Sequence, residues 1–300
     1  MANPIVYDRR QFLRFLAAFA PAITINFPVA GLPPEMPLMV RSKDGTRLAL
    51  YCQGSGSSLL LVHGGSGDHT RWQPVLPALT TRFRVCAMDR RGHGQSGDAQ
   101  KYSLEREFED VATVADSLDR PVSLIGHSFG AICAAEAALR SQSIKQLVLY
   151  EPPFPVGGPI ADAELLTKFE DLVQKGQKDA ALEMFLRDIV KLSDTRIAAA
   201  RRDPDWAVRA DTVGVQVREI RAVNAYEFTA AKFEKLKIAT LLVMGSKTAD
   251  HHRAAIEALS HALPNRTLAT LEGEGHDAIQ AAPELFTDAV LGFLKSRPRS

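Results

Sequence analysis

The stretch that decides the fold is VSLIGHSFG, residues 122–130. A run typical of a buried strand leads directly into a Gly-x-Ser-x-Gly pentapeptide, and small residues typical of a closely packed helix follow. A serine at such a bend has a strained backbone, so its nearest neighbours must be small, and Gly126 and Gly130 meet that need. We therefore predict a sharp turn that presents the Ser128 hydroxyl as a nucleophile. The amide of Phe129, at the helix start, is expected to point toward a developing oxyanion.

Strands and helices alternate on both sides of this motif. Such alternation predicts an α/β fold with a mostly parallel central sheet flanked by helices. The turn Ser42-Lys43-Asp44-Gly45 predicts a hairpin that adds an antiparallel edge. The predicted strands are Leu38–Val40, Arg47–Cys52, Leu59–Val62, Phe83–Met88, Val122–Ile125, Ile144–Tyr150, Ile238–Met244 and Thr267–Leu271. The predicted helices outside residues 155–235 are Trp72–Leu79, Ser103–Leu118 with Ser103 as its cap, Phe129–Leu139, His251–Leu263 and Pro283–Lys295.

The alternation stops in residues 155–235. Apolar residues recur there at helical spacing, which predicts a helical insertion between two strands of the sheet. An insertion at the carboxyl edge of a sheet is well placed to act as a lid. The core of the fold is then expected from residues 36–154 and 236–300. Four aromatic residues are candidate pocket walls, namely Phe154, Phe169, Phe185 and Trp206.

Residues 1–35 are interpreted as an N-terminal extension. Residues 8–14, DRRQFLR, resemble a twin-arginine export motif, and Ala20-Pro21-Ala22 is a candidate cleavage site. The alternative is a helix that packs on the body of the protein. Prolines interrupt the apolar stretch that follows the arginines, so no membrane span is expected. A cytoplasmic location is predicted, with export as the alternative.

The composition is that of an ordinary globular protein. The chain has 300 residues, a formal net charge of +1 and 46% hydrophobic residues. Near-zero charge without a basic patch argues against nucleic acid as a partner. The glycine-rich loops do not read as a dinucleotide-binding fingerprint, which requires G-x-G-x-x-G directly between a strand and a helix, or as a P-loop, and no metal-ligand spacing is evident, so no cofactor and no metal are predicted. A small-molecule substrate is the expected partner, and assembly into a homo-oligomer stays open.

The cysteines are predicted to be free. There are three, at Cys52, Cys86 and Cys133, and all lie among apolar residues. An odd number without a close pair argues against a disulfide framework. Free cysteine is among the most buried residue types, so three buried thiols are expected.

Two further glycine-rich loops follow predicted strands. His63-Gly64-Gly65 comes directly after Leu59–Val62, and Gly273-Glu274-Gly275-His276-Asp277 comes after the last predicted strand. A neutral imidazole in the second loop can accept the proton of a serine and return it to a leaving group. Of the eight histidines, only His276 has this placement.

Together these motifs resemble those of the α/β-hydrolase superfamily, over roughly residues 36–296. Residues 89–96, DRRGHGQS, resemble the D-x-R-G-x-G-x-S turn of that family, which we interpret as structural. The resemblance implies that His276 is the catalytic base and that Gly65 provides the second backbone amide of an oxyanion hole. The ring of His63 is expected to order its loop rather than to take part in chemistry.

The acid of the triad has two candidates. The family usually places it two or three residues after a glycine that ends the penultimate strand, but Lys247 and Thr248 occupy those positions. Asp250 comes two residues late and would also serve as a helix N-cap. Glu151 ends the strand Ile144–Tyr150, and some members, including certain dehalogenases and lactone hydrolases, carry the acid after this strand. Glu151 is the favoured candidate and Asp250 is its rival.

A serine at the sharp turn of the Gly-x-Ser-x-Gly motif, which we call the elbow, points to acyl transfer. Haloalkane dehalogenases and epoxide hydrolases of this fold use an aspartate there instead. The resemblance therefore implies a serine hydrolase that cleaves a small, fairly apolar ester, lactone or thioester through an acyl-enzyme. A carbon–carbon bond hydrolase, a perhydrolase and a slow-turnover ligand-binding receptor of the same fold are the alternatives.

Overall fold

One sheet contains all nine strands found in the part of the chain that the structure describes. The structure is a computed structural model that describes residues 4–8 and 36–295. In chain order the strands are β1 (Ile5–Tyr7), β2 (Leu38–Arg41), β3 (Arg47–Gln53), β4 (Ser57–Val62), β5 (Phe83–Met88), β6 (Val122–His127), β7 (Ile144–Tyr150), β8 (Ala239–Gly245) and β9 (Arg266–Leu271). They lie in the order β1-β9-β8-β7-β6-β4-β5-β3-β2. Only β2–β3 and β3–β5 are antiparallel pairs among them, which confirms the predicted parallel sheet with an antiparallel edge.

Helices connect most of the strands. In chain order they are α1 (Leu76–Leu79), α2 (Leu104–Ser117), α3 (Phe129–Ala138), α4 (Ala163–Gln174), α5 (Lys178–Met184), α6 (Asp194–Ala200), α7 (Trp206–Asp211), α8 (Val215–Asn224), α9 (Ala230–Phe233), α10 (Asp250–Ala262), α11 (Ala278–Ala281) and α12 (Pro283–Leu294), with a 3-10 turn at His69–Trp72 and a π-helical turn at Phe185–Ile189. None of the helices described is both long and apolar enough to cross a membrane.

Each face of the sheet packs against its own set of helices. On β4, Leu60 and Val62 belong to the core that includes α2, α3 and α10, whereas Leu59 and Leu61 belong to the core with α1 and α12. All four side chains are fully buried. A strand covered on both faces is apolar throughout rather than at every second residue. The continuous apolar run that marks β4 in the sequence is therefore a consequence of its central position.

The helix predictions hold with one exception. Ser103 caps α2, because its side-chain oxygen accepts a hydrogen bond from the Arg106 backbone N–H. The predicted helix Trp72–Leu79 is wrong in part, since a 3-10 turn and the one-turn helix α1 occupy this region. Pro74 has no backbone N–H to donate, so a continuous helix across it is unfavourable.

The prediction of three free thiols is wrong for two of them. Cys52 on β3 and Cys86 on β5 lie opposite each other in antiparallel register and form a disulfide. Cys133 is a buried free cysteine, as predicted. The two bonded residues are 34 positions apart in the chain. They meet because the sheet places β3 next to β5, and the spacing of cysteines in the sequence does not reveal that pairing.

A short strand near the start of the chain extends the sheet. Residues 5–7, within the predicted N-terminal extension, form β1 and pair in parallel with β9. Beyond the paired residues, the Glu272 backbone N–H donates to the Tyr7 carbonyl oxygen at 2.9 Å. The arginines of the export-like motif, the candidate cleavage site and the alternative packed helix fall in residues 9–35, outside the described residues.

The segment between β7 and β8 has a hydrophobic core of its own. Helices α4 to α8 and the π-helical turn contribute to it. Its most buried large side chains include Phe169, Phe185, Leu186, Ile189, Ile197 and Trp206. We call residues 155–235 the inserted segment. Its cohesion explains how this segment keeps a defined shape although it interrupts the alternation of strands and helices.

Close packing at the end of β6 fixes where α3 begins. A Cβ atom built on Gly130 would lie 2.4 Å from the carbonyl oxygens of both Val62 and His63. One built on Gly126 would lie 2.5 Å from the Gly130 carbonyl oxygen. These distances are far below van der Waals contact, and the atoms concerned are backbone. The two glycines of the pentapeptide are thus required by the approach of α3 to β4.

Gly130→Ala is expected to lower the free energy of unfolding by roughly 1–3 kcal/mol or more, because overpacking here pushes against backbone rather than a flexible side chain. Gly97→Ala is the matched control, since its Cβ would lie 3.5 Å from the nearest atom, the Arg47 carbonyl oxygen. Urea unfolding of both variants measures the difference. Equal stability of the two variants would contradict this account of the elbow.

Candidate active site

Ser128 lies at the carboxyl end of β6, at the bend into α3. Its φ is 55° and its ψ is −128°, a conformation that non-glycine residues rarely adopt. The Ser128 backbone N–H donates to the Tyr150 carbonyl oxygen at 2.9 Å, which ties the bend to the neighbouring strand. The side chain is half-buried. The predicted strand–turn–helix setting of this serine is therefore present, with Phe129 as the first residue of α3.

The loop after β4 approaches the serine closely. A Cβ on Gly64 would lie 2.8 Å from the Ser128 Cβ, and one on Gly65 would lie 2.4 Å from the Gln216 Oε1. His63 is fully buried and braces this loop. Its Nε2 accepts a hydrogen bond from the Arg90 backbone N–H at 3.0 Å, so Nδ1 carries the proton and donates to the Gly64 carbonyl oxygen at 2.8 Å. Burial, together with the nearby charge of Arg90, holds the pKa of His63 well below its ordinary value.

His276 is hydrogen-bonded to Glu151. The distance from His276 Nδ1 to Glu151 Oε2 is 2.7 Å. The other carboxylate oxygen, Oε1, accepts the Gly245 backbone N–H at 2.8 Å. Glu151 is completely buried and has a φ of 46°. An acceptor at Nδ1 places the proton of a neutral imidazole on that nitrogen and leaves Nε2 as the basic atom.

The rival carboxylate lies elsewhere. Asp250 is exposed and is the first residue of α10, one position after Ala249, the cap residue. Its negative charge at the positive end of a helix is favourable without any catalytic role. Of the two acids weighed from the sequence, the structure brings Glu151 to His276.

Ser128 and His276 line the same two adjoining cavities. The first, which we call the apolar lobe, is lined by both residues and by Ile160, Phe185, Ile189, Ile220 and Val223, with Gln216, Glu219, His251 and His252 as its polar members. The second, which we call the polar lobe, is lined by both residues and by Arg71, His127, Arg209, Asp277 and Gln280, with Phe185, Leu186 and Leu192. Gly65 lines both lobes. The inserted segment therefore supplies a large part of the walls around the serine.

Only Phe185 among the four predicted aromatic walls lines either lobe. Phe154 packs against Tyr226, Phe228 and Phe233. Phe169 and Trp206 lie in the core of the inserted segment. An aromatic residue on an inserted helix is thus more often part of that segment's own core, because the segment must bury an apolar surface to hold its shape.

A buried ionic cluster lies beside the apolar lobe. The Arg90 guanidinium contacts Glu107 at 3.0 Å and Glu219 at 2.8 Å, and it also donates to the carbonyl oxygens of His63 and Gly64. Burial raises the pKa of Glu107, and the Arg90 charge offsets this only in part. Burial also opposes ionisation of Glu219, but the charges of Arg90 and His93 outweigh it and lower the pKa to about 2. Arg90 is thus a brace for the loop of Gly65.

Sequence reasoning did not identify Gln216 and Glu219 as site residues. Both lie on α8 and line the apolar lobe. The Gln216 Nε2 and the Glu219 Oε2 are buried without hydrogen-bond partners among the described residues. A single sequence offers only one signal for them, which is two polar residues on the same helical face as Ile220 and Val223.

Four histidine rings gather at the site. The His252 ring stacks on His276 with centroids 4.2 Å apart and an interplanar angle of 11°, and His127 and His251 lie on either side. Glu151, His252 and His276 come close enough to share an ion. His276 Nδ1 is already hydrogen-bonded to Glu151, so a metal ion at this group would have to replace that bond.

A second group of potential ligands consists of Asp68, His69 and Asp89. Asp89 accepts hydrogen bonds from the His69 backbone and contacts the His69 ring at 2.7 Å, and Asp68 accepts from the Thr70 backbone. A metal ion would have to replace these bonds. The D-x-R-G-x-G-x-S turn therefore has the structural role expected from the sequence, since Asp89 also accepts the Gln95 backbone N–H.

Comparison with known proteins establishes the family. Residues 59–289 match the alpha/beta hydrolase family, so the chain belongs to it. An alpha/beta hydrolase from Sphaerobacter thermophilus is 28% identical and superposes with a TM-score of 0.75, over 86% of this chain and all of that one. The predicted family and fold are both confirmed.

Curated relatives match over shorter stretches. The pimeloyl-[acyl-carrier protein] methyl ester esterase of Methylococcus capsulatus is 33% identical over 138 residues, which are 44% of this chain and 53% of that protein. The probable oxidoreductase EphD of Mycobacterium tuberculosis is 30% identical over 135 residues, or 43% of this chain. The match spans only 22% of the length of EphD.

The buried histidines predict a loss of stability in acid. Burial, and after it the neighbouring charge of His276, holds the pKa of His252 well below its ordinary value of 6.5. The unfolded chain therefore binds this proton first, so stability present above pH 6.5 is lost as the pH falls below it. The expected slope is about 1.4 kcal/mol per pH unit for this residue. His252→Leu, which sacrifices no hydrogen bond among the described residues, should flatten the slope.

Denaturant unfolding at pH 7.5, 6.5 and 5.5, values chosen to span roughly the ordinary histidine pKa, measures the effect. His261→Gln is the control, because His261 is exposed on the same helix, and this variant should keep the slope of the wild type. Identical slopes for the wild type and His252→Leu would show that the ring is not held neutral by the fold.

Proposed function

We propose that this protein is a serine hydrolase that cleaves a carboxylic ester, lactone or thioester through an acyl-enzyme. The observation that carries the proposal is the 2.7 Å hydrogen bond from the His276 ring to the buried Glu151, in a cavity that Ser128 also lines. An imidazole oriented in this way by a carboxylate is suited to remove a proton from a nearby hydroxyl. The esterase relative agrees with this class of reaction.

The reaction begins with a proton transfer. His276 Nε2 takes the proton of the Ser128 hydroxyl as its oxygen forms a bond to the substrate carbonyl carbon. The carbonyl oxygen becomes an oxyanion, and the backbone amides of Gly65 and Phe129 donate hydrogen bonds to it. The bond to the leaving group then breaks, and the imidazolium gives it the proton. Water then attacks the acyl carbon while His276 takes a proton from it. The imidazolium returns that proton to the Ser128 oxygen as the bond to the acyl carbon breaks, which releases the acid and restores the serine.

Glu151 acts through His276 in this proposal. Its carboxylate is fixed by the Gly245 backbone N–H, so it holds the ring in one orientation and stabilises the imidazolium when it forms. It does not need to take up a proton. The positive φ of this residue follows from the same requirement, because its backbone bonds to Val243 while its side chain turns toward the histidine loop.

The walls of the apolar lobe favour a small apolar portion of the substrate. Ile160, Ile189 and Val223 remove surface from water, and each buried methylene of a substrate contributes about 0.8 kcal/mol. The inserted segment acts as a lid over the serine in this proposal, since it supplies these side chains. Exclusion of water strengthens the oxyanion contacts.

The test is a panel of esters, lactones and thioesters of graded acyl length, assayed with the wild type and Ser128→Ala. Removal of the nucleophile should lower kcat by about 10³-fold or more. Ser117→Ala, at an exposed position at the end of α2, is the control. Turnover that survives Ser128→Ala would refute the mechanism. Rapid acylation with almost no turnover would indicate a ligand-binding receptor instead.

The acid is tested by Glu151→Gln and Asp250→Asn. Glutamine keeps an acceptor for the Gly245 amide but removes the charge beside His276, so kcat should fall by about 10³- to 10⁴-fold. Asp250→Asn should change kcat by less than about threefold, because that side chain is exposed at the start of α10. The two variants are compared on the best substrate of the panel. Small and equal losses would remove Glu151 from the mechanism.

A further inference from the structure

A buried cation in the polar lobe has no carboxylate partner among the residues that the structure describes. Arg209 lies on α7 and is 6% exposed. Both hydrogen bonds of its guanidinium go to neutral atoms of Ser66, with Nε donating to the carbonyl oxygen at 2.9 Å and Nη2 donating to Oγ at 3.2 Å. Throughout residues 4–8 and 36–295, no carboxylate lies within ion-pair distance of Arg209. Buried arginines are ordinarily paired, because an unpaired charge loses its hydration without compensation.

A second arginine lines the same lobe. Arg71 contacts Asp203 at 3.4 Å, a long distance for an ion pair. Burial, and after it the charge of Arg71, lowers the pKa of Arg209 to about 9, so Arg209 is still protonated at neutral pH. Two like charges have thus been brought to one cavity, which costs energy in the free protein.

Acidic residues nearby offset the charge of the pair only in part. The charges of Asp203 and Asp205 raise the pKa of both arginines, but burial outweighs them, and in the described part of the chain the hydrogen bonds of Arg209 go to Ser66. Asp203 is held by Arg71, and Asp205 accepts a hydrogen bond from Thr70 Oγ1 at 3.0 Å. Asp277, the one carboxylate among the residues lining the polar lobe, lies 3.5 Å from Arg196, and burial raises its pKa. The described lining therefore contains two arginines against one carboxylate.

The position of the arginines is specific to the reacting centre. The polar lobe that they line also contains Ser128 and His276. Ser66, which Arg209 holds, follows Gly65 directly and has a φ of 50°. An anion bound by Arg209 would therefore lie beside the scissile bond and would be linked to the oxyanion loop through Ser66.

We propose that the polar lobe binds a carboxylate carried by the substrate, with Arg209 and Arg71 as its ligands. The substrate class is then an ester, lactone or thioester with a free carboxylate on one portion and a small apolar group on the other. Arginine is suited to this role because its planar guanidinium donates two parallel hydrogen bonds to a carboxylate. The inference rests on the proposed function, since it names the substrate of the same site.

Pairs of substrates that differ only in a free carboxylate measure the contribution of that charge to turnover. Monomethyl glutarate is compared with dimethyl glutarate, which places the carboxylate on the acyl portion. Acetoxyacetate is compared with its methyl ester, which places it on the alcohol portion. For at least one pair, the wild type should show a kcat/KM about tenfold or more higher for the charged member. Equal or lower values for the charged members of both pairs would overturn the carboxylate subsite.

Variants assign the preference to the arginines. Arg209→Gln and Arg71→Gln should each reduce the charged-to-neutral ratio of kcat/KM by about 10- to 100-fold, whereas Arg209→Lys should retain more of it than Arg209→Gln. Arg82→Gln makes the same change of net charge at an exposed residue just before β5, at the opposite edge of the sheet, and should leave the ratio unchanged. A ratio that both glutamine variants preserve would overturn the proposal.

A binding measurement separates this inference from the proposed reaction. Ser128→Ala is titrated calorimetrically with monomethyl glutarate and with acetoxyacetate, alone and combined with Arg209→Gln. Binding of either compound that is lost with Arg209→Gln supports the subsite even if no ester is turned over by the wild type. Serine-dependent turnover of neutral esters, without binding of either anion, would support the proposed hydrolase function and refute the carboxylate subsite.

Discussion

The hydrogen bond between His276 and Glu151 is the interaction on which the site depends. It joins residues 125 positions apart, one after β7 and the other after β9. The bond forms because β7, β8 and β9 are parallel neighbours, so their carboxyl ends meet at one edge of the sheet. The same register ties the Ser128 backbone to Tyr150, the residue before Glu151. Parallel pairing thus sets the position of Ser128 relative to His276.

Backbone strain accompanies this arrangement. Ser66, Ser128 and Glu151 all have positive φ, and each lies at the site. Strained residues of this kind persist only where surrounding contacts over-determine them. At the elbow those contacts come from backbone atoms packed against Gly126 and Gly130. The two-sided core of the sheet therefore stabilises a conformation that an isolated loop would not keep.

The two lobes of the cavity around Ser128 differ in the charged residues that line them. The apolar lobe holds its one carboxylate, Glu219, beside Arg90, whereas the polar lobe holds two arginines against Asp277. Both Glu219 and Arg209 belong to the inserted segment. In the proposed reaction, the strand ends of the sheet would supply the reacting groups, and the inserted segment would supply most of the features that distinguish one substrate from another. Three further histidines lie at the same site, and burial lowers the pKa of His127, His251 and His252.

Local sequence alone determined eight of the nine described strands, the sharp turn at Ser128, the order of the motifs and the candidates Ser128, Gly65, Phe129 and His276, because strand runs and glycine turns depend on neighbouring residues. It left Glu151 and Asp250 as alternatives, because the sequence does not show which of the two strand ends lies next to the loop of His276. Only the tertiary structure decided that Glu151 meets His276, that Cys52 meets Cys86, and that Gln216, Glu219 and Arg209 face the cavity. These contacts join segments far apart in the chain, and they follow from sheet order and helix packing, which the spacing of residues does not encode.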